Sequence, residues 1–213
     1  MTEQDVLLAQ LDQYWECFNC GCVIKDPNLA KVLQTSGMGW GLGVPCPKCG
    51  GTTSKSKFPD KRFRPLFEMM IECCQTERAI LILILAQTAF EGMLDDFLCR
   101  ILRRMNCPED IESAVTLEIN SFNAKQRFIK SLTGKNITEM IKDVGFRDII
   151  KQFEAIRAKR NSFLHTAAEK DLTLDDIKEA LKFAYATVDL YAVLFSKYRE
   201  WRPLIEPDED RPF

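Results

Sequence analysis

Apolar residues recur at helical steps through most of the chain beyond Pro65. Phe90, Leu94, Phe97, Leu98, Ile101 and Met105 follow one another three or four positions apart, which lines one face of a helix. The run AILILIL just before them is rich in β-branched residues and is strand-like by composition. It joins the stripe without a Gly or Pro break, so the pattern predicts one long, central buried helix instead. Gly92 within it weakens that helix by about 1 kcal/mol relative to alanine. Pro108 stands where a further helix takes its first residue, Asn136 with Glu139 and Thr173 with Asp176 have capping-box spacing, and Gly134 and Gly145 read as stops. Arg147 to Thr166 reads as one helix through Ile149, Phe153, Ile156 and Phe163. A polar loop to Leu172 follows, then a long final helix to Trp201.

The amino-terminal part has a different texture. Residues 3 to 12 fit a short amphipathic helix through Val6, Leu7 and Leu11. From Tyr14 to about Thr53 the chain turns to Gly, Cys and Pro, with Gly37, Gly39, Gly41 and Gly43 around Trp40. So loop-rich a segment buries too little apolar surface to fold unaided and needs a staple. Residues 54 to 64 read as a basic linker. The organisation expected is mainly α: a small metal-stapled module over residues 1–57, then an up-and-down helical bundle over 58–213, with no internal repeat.

The staple is explicit. Cys17-Phe18-Asn19-Cys20-Gly21 and Cys46-Pro47-Lys48-Cys49-Gly50 repeat C-x2-C-G, with residues 21 to 45 between the second and third cysteine. Two thiolates three positions apart bite one tetrahedral ion, and the following glycine permits the turn that aims backbone amides at sulfur. Cys17, Cys20, Cys46 and Cys49 thus fill the four positions of a Zn2+ ion and leave none for water or substrate, so the metal is structural. Cys22 is a spare thiol that could replace Cys20. The long spacing points to a ribbon with an extended hairpin or a short helix around Leu29 to Gln34. Whether the ribbon contacts RNA or a partner, or only stabilises the fold, stays open. Cys73, Cys74, Cys99 and Cys107 read as packing residues.

Composition adds limits. The 213 residues carry a net charge of −2 with pI near 5.6, which argues against a protein that coats nucleic acid indiscriminately. Locally, Lys48, Lys55, Lys57, Lys61, Arg62 and Arg64 face only Asp60, and Lys151, Arg157, Lys159 and Arg160 face only Glu154; both clusters are candidate phosphate contacts or solvated faces. The first residues lack the basic start and cleavage site of a secretory signal. The longest apolar run, Ala79 to Ala86, is far short of the ~20 residues that span a bilayer. An odd total of nine cysteines, four of them in metal spacing, suits a reducing, cytoplasmic setting with no membrane partner.

One hexapeptide carries chemistry. Arg160-Asn161-Ser162-Phe163-Leu164-His165 ends on the only histidine of the chain. Histidine exchanges protons near neutrality, and arginine grips phosphate through forked, charge-assisted hydrogen bonds. RNA brings its own nucleophile, the 2′-hydroxyl. Its cleavage needs a base, an acid and positive charge at the crowded phosphorus, which two imidazoles and a guanidinium supply without metal. With one histidine per chain, two-fold association is expected to bring two copies of Arg160 and His165 around one cleft. On an ideal helix Asn161 and His165 share a face, while Arg160 lies ~140° from His165, so its side chain must curl round or serve a site shared with the other subunit. Arg157, a turn earlier, and Lys159 are candidate substrate contacts.

This RNxxxH hexapeptide, late in an all-helical region that also contains AFEGMLDDFL, resembles the HEPN superfamily (higher eukaryotes and prokaryotes nucleotide-binding), over roughly residues 62 to 203. The resemblance implies a homodimeric endoribonuclease of toxin or antiviral defence type, with Arg160, Asn161 and His165 catalytic and an antitoxin or regulatory protein as a further partner. It equally covers non-catalytic RNA- or protein-binding adaptors and nucleotide-sensing regulators. Glu91, in a polar stripe with Gln87 and Asp95, is a candidate support for Arg160 or else part of a solvated face or a structural ion pair.

Overall fold

The computed structural model describes residues 8–17, 19–20, 22–26, 45–55, 63–76, 78–166 and 172–198. The hairpin or helix expected at Leu29 to Gln34, the glycines around Trp40, most of the basic linker and the chain beyond Tyr198 lie outside them. Among the described residues the protein is mainly helical with one small antiparallel sheet. A 3-10 turn at Gln10–Asp12 leads into β1 (Tyr14–Cys17), which is flanked by β2 (Val23–Lys25) and β3 (Thr53–Lys55) in the order β2-β1-β3. Seven helices follow: α1 (Arg64–Gln75), α2 (Ala79–Arg104), α3 (Glu109–Glu118), α4 (Phe122–Thr133), α5 (Ile137–Asp143), α6 (Ile149–Thr166) and α7 (Leu174–Lys197). None of the described helices is long and apolar enough to cross a membrane.

AILILIL is helical, as its continuity with the Phe90 stripe requires, and α2 is the axle of the fold. Its apolar residues leave room for neighbours nearly all round. The Phe90 ring meets Phe153 of α6 at 4.6 Å and Phe183 and Tyr191 of α7 at 5.4 and 6.1 Å. Phe97 meets Tyr191 and then Phe195, at 6.3 and 5.7 Å. Numbers rise together along α2 and α7, so these two helices run parallel. Phe153 faces Phe183 while Lys159 pairs with Asp176, so α6 runs against α7. Successive long helices therefore alternate in direction, with α3 to α5 forming the crossover. Gly92 has a packing reason that outweighs its helix cost: a Cβ there would lie 2.9 Å from the ring of Phe63, which sits at the start of α1.

Local punctuation is obeyed. Asn136 and Thr173 each accept from the backbone N–H three residues on, and Glu139 and Asp176 reach back to close both capping boxes. Gly134 and Gly145 follow α4 and α5 in the left-handed region. Pro108 caps α3 from just outside instead of being its first residue, and α6 starts at Ile149, two residues later than the pattern predicts. The stretch read as linker gives Ser54 and Lys55 to β3, because β1 pairs with them as Glu16↔Ser54 and Trp15↔Lys55. The final helix ends at Lys197.

Three ion pairs knit the helices. Lys125, on the inner face of α4, meets Asp95 of α2; Lys159 of α6 meets Asp176 at the start of α7; and Arg103 forks onto Glu112 with both contacts at 2.7 Å. The Arg103 fork is the main force holding the buried Glu112 carboxyl below the usual carboxylate range. Burial pushes Asp176 up, but Lys159 and Thr173 together bring it below that range. Both groups bind protons more tightly in the unfolded chain, so their stabilisation is complete above about pH 5 and is lost as pH falls toward the lower folded values. Arg103 is solvent-screened, so Glu112→Gln should cost about 1 kcal/mol at pH 7 and less at about pH 3. Urea melts at the two pH values check this.

Candidate functional site

The two C-x2-C-G segments fold into facing knuckles below the sheet. The Cys17 N–H donates to the Cys22 carbonyl at 3.0 Å, and the Cys46 N–H to the Gly51 carbonyl at 2.8 Å. Gly50 adopts φ +70°, the left-handed turn expected of the residue after the second pair. Gly51 approaches the Asn19 side chain so closely that a Cβ would lie 2.6 Å from it, which brings the knuckles together.

The four Sγ atoms of Cys17, Cys20, Cys46 and Cys49 lie within 4.8 Å of one another. Cys17 to Cys49 is 3.5 Å and Cys20 to Cys46 is 3.7 Å. A tetrahedron with Zn–S near ~2.3 Å has edges of about 3.8 Å, so the cluster has the size of a four-thiolate metal site. Crowding leaves its mark on the protons. Backbone amides at Cys20 and Asn19 help bring Cys17 down to about 6, whereas the surrounding thiols outweigh the Gly51 amide and send Cys49 up to about 12. Four sulfurs this close cannot all be anionic without a cation among them. The spare thiol Cys22 instead points its Sγ at the Val23 carbonyl, 3.8 Å away. Of the remaining cysteines, Cys73 is in the core, Cys74 and Cys107 pack against it, and burial sends Cys99, which faces Glu112, up to about 12.

The module is fastened to α7. Tyr14 donates to Asp189 Oδ1 at 2.7 Å, and Lys25 bridges both Asp189 oxygens at 2.7 and 2.9 Å. The Val23 N–H donates to Ser196 Oγ at 2.8 Å. Leu11 and Tyr14 belong to the same apolar cluster as the bundle helices.

The second candidate region is the last two turns of α6. His165 is solvent-exposed there, next to the final residue of the helix. Arg160 curls back along its own helix: Nε and Nη2 donate to Asn161 Oδ1 at 3.2 and 2.7 Å. This turns the guanidinium toward the face that carries His165, which an uncurled side chain would miss. The acceptor is a neutral amide, and no acid pairs with Arg160 among the described residues. Asn161 thus orients the guanidinium, a partner for which the hexapeptide gives no signal.

The other expected residues divide. Arg157 is exposed, and no acid pairs with it among the described residues. Lys159 is held by Asp176, the capping acid of α7; the Thr173-x-x-Asp176 spacing announces the cap but not the lysine. Glu91 is half-buried and accepts from Gln87 Nε2 at 2.8 Å. It stands beside the Phe90–Phe153 contact, about 12 Å along the axis from the level of Arg160, and no contact joins the two among the described residues. Two large apolar side chains on α6 and α7 are exposed, Leu164, which precedes His165 in the chain, at 59% and Leu174, the first residue of α7, at 64%. No family model, curated protein or solved structure matches the chain.

Proposed function

We propose that the chain is a metal-independent endoribonuclease of HEPN type, fused to a zinc ribbon whose Zn2+ is structural, and that it works as a homodimer in toxin-like or antiviral defence. The observation that carries the reading is the exposed His165 five residues after an Arg160 guanidinium that Asn161 bends round the helix and that meets no acid among the described residues. One imidazole takes the proton of the 2′-hydroxyl while O2′ attacks phosphorus. The P–O5′ bond breaks, and a second imidazole, protonated, gives its proton to O5′. The products are a 2′,3′-cyclic phosphate and a 5′-hydroxyl. Arg160 faces the extra negative charge of the phosphorane, and Arg157 adds charge one turn earlier.

Because each chain has one histidine, the second imidazole comes from a second copy. Leu164 and Leu174 give that copy an apolar surface to cover. Cys17, Cys20, Cys46 and Cys49 hold the zinc, which cross-links the two knuckles and supplies no step of the reaction.

The test is brief incubation of the purified protein with total RNA and with tRNA, with and without EDTA, followed by analysis of fragment ends. Cyclic phosphate and 5′-hydroxyl ends that form equally in EDTA are the expected result. RNA binding without cleavage at any enzyme concentration would move the chain to the non-catalytic adaptors.

A further inference from the structure

Several cations among the described residues have an acid partner. Arg64 pairs with Glu68, Arg100 with Asp96, Arg103 with Glu112, Lys135 with Asp143, Lys178 with Asp175 and Lys182 with Glu179. Helix α4, FNAKQRFIKSLT, contains no acid at all. Its Lys125 turns inward to Asp95. Arg127 and Lys130 point outward, and neither meets an acid among the described residues.

These two cations are not on a plain helix face. Asn123, Gln126, Arg127 and Lys130, one to two turns apart on α4, line an open groove of about 540 Å³ together with Asn136 at the start of α5. Gln126 is fixed there as the acceptor of the Thr138 hydroxyl at 3.0 Å. On the other flank of Arg127 lies a shallower depression of about 330 Å³, lined by Ile119, Ala124, Phe128 and Ser131 as well as Arg127. Arg127 is therefore a ridge between a trough of amides and cations and an apolar dip that contains an aromatic ring.

Those are the parts from which single-stranded nucleic acid is held: charge that tracks the backbone, amides for sugar hydroxyls and base edges, and an aromatic that a base can cover. We infer that the outer face of α4 is a holding surface for single-stranded RNA, with Arg127 and Lys130 on phosphates and Phe128 beneath a base. Single-stranded RNA would use the two cations and the ring of Phe128 together, through its phosphates and its bases. The inference deepens the ribonuclease reading, on which it rests, by adding a place where substrate is gripped away from the scissile bond.

The surface connects to the motif helix through packing. Phe122, the first residue of α4, meets Phe153 of α6 at 5.1 Å, and Arg157 follows Phe153 by one turn. The holding surface and the helix that bears His165 are thus neighbours in the fold.

The test uses the full-length protein carrying His165→Ala, so that RNA survives, and a short fluorescent oligoadenylate read by anisotropy across a salt series. Adding Arg127→Ala and Lys130→Ala should weaken binding about tenfold at moderate salt and lower the salt slope by about 1.4, the single-strand value for two phosphates. The exchange Arg127→Lys with Lys130→Arg should keep both. Lys178→Ala with Lys182→Ala, cations already paired on α7, should change neither. Unchanged affinity and slope in the double alanine variant would overturn the inference, as would equal competition by polyglutamate, which would give the surface to an acidic protein. In the chain with His165 intact, loss of α4 cations should raise KM and spare kcat. Cleavage that depends on His165 but ignores Arg127 and Lys130 would sink this surface and leave the ribonuclease reading standing. Binding that depends on them in a chain that never cleaves would do the reverse.

Discussion

His165→Ala is expected to lower RNA cleavage by about 10²- to 10⁴-fold, the range supplied by a positioned acid or base. The variant should melt with the wild type, because the ring is exposed at the end of α6 and supports no packing. Asn161→Ala makes a finer test. Asn161 contributes through the two hydrogen bonds that fold Arg160 back along the helix. Its loss should therefore lower the rate less than Arg160→Ala does, and only while Arg160 is present. A double-mutant cycle on cleavage rate reads that coupling directly. Equal rates for His165→Ala and the wild type would remove the imidazole from the mechanism.

Withdrawing metal is expected to have the second large effect. Binding free energy at a structural four-thiolate site is folding free energy, apparent values being about 10–16 kcal/mol in small zinc peptides near neutrality. Cys46→Ser should therefore abolish stoichiometric zinc in purified protein and, on cobalt substitution, the thiolate-to-metal absorption of a four-sulfur site. Slow chelation should uncouple β1 to β3 from α7 and lower the melting temperature. The same treatment over the minutes of a cleavage assay should leave the rate unchanged, which separates a structural ion from a catalytic one. Retention of zinc by Cys46→Ser would place Cys22 in the ligand set.

What could be read ahead of the structure was whatever is local in sequence. Both capping boxes, the helical fate of AILILIL and the two glycine stops depend on residues within one or two turns, and each stands where its pattern puts it. The four-cysteine cluster was legible although its halves are distant, because tetrahedral coordination restricts spacing so tightly. Pairings between distant segments were not. Nothing in the polar stripe of α2 says that Asp95 is matched by a lysine buried on α4, or that β1 takes Ser54 and Lys55 for its neighbours. For the motif, the lone His165 and the nearby Arg160 stood out as residues, while Asn161 entered through the resemblance. The bend of the guanidinium onto its adjacent residue is a rotamer choice that no periodicity encodes. The outer face of α4 did leave a trace, a helix without a single carboxylate, and that trace has meaning only once Arg127 and Lys130 are seen to line one groove.

One helix holds both ends of this molecule. Asp189 and Ser196, late in α7, receive Tyr14, Lys25 and Val23 of the sheet, while Asp176, in its first turn, restrains Lys159 on the helix of the motif. Cutting away the cysteine-rich part would strand a carboxylate and a hydroxyl that now have partners and would strip Leu11 and Tyr14 from the shared interior. The bundle thus loses contacts to its last helix when the cysteine-rich part is removed. A truncated version expressed for biochemistry should fray from the carboxyl-terminal side, so its inactivity would say nothing about whether the cysteine-rich part touches RNA.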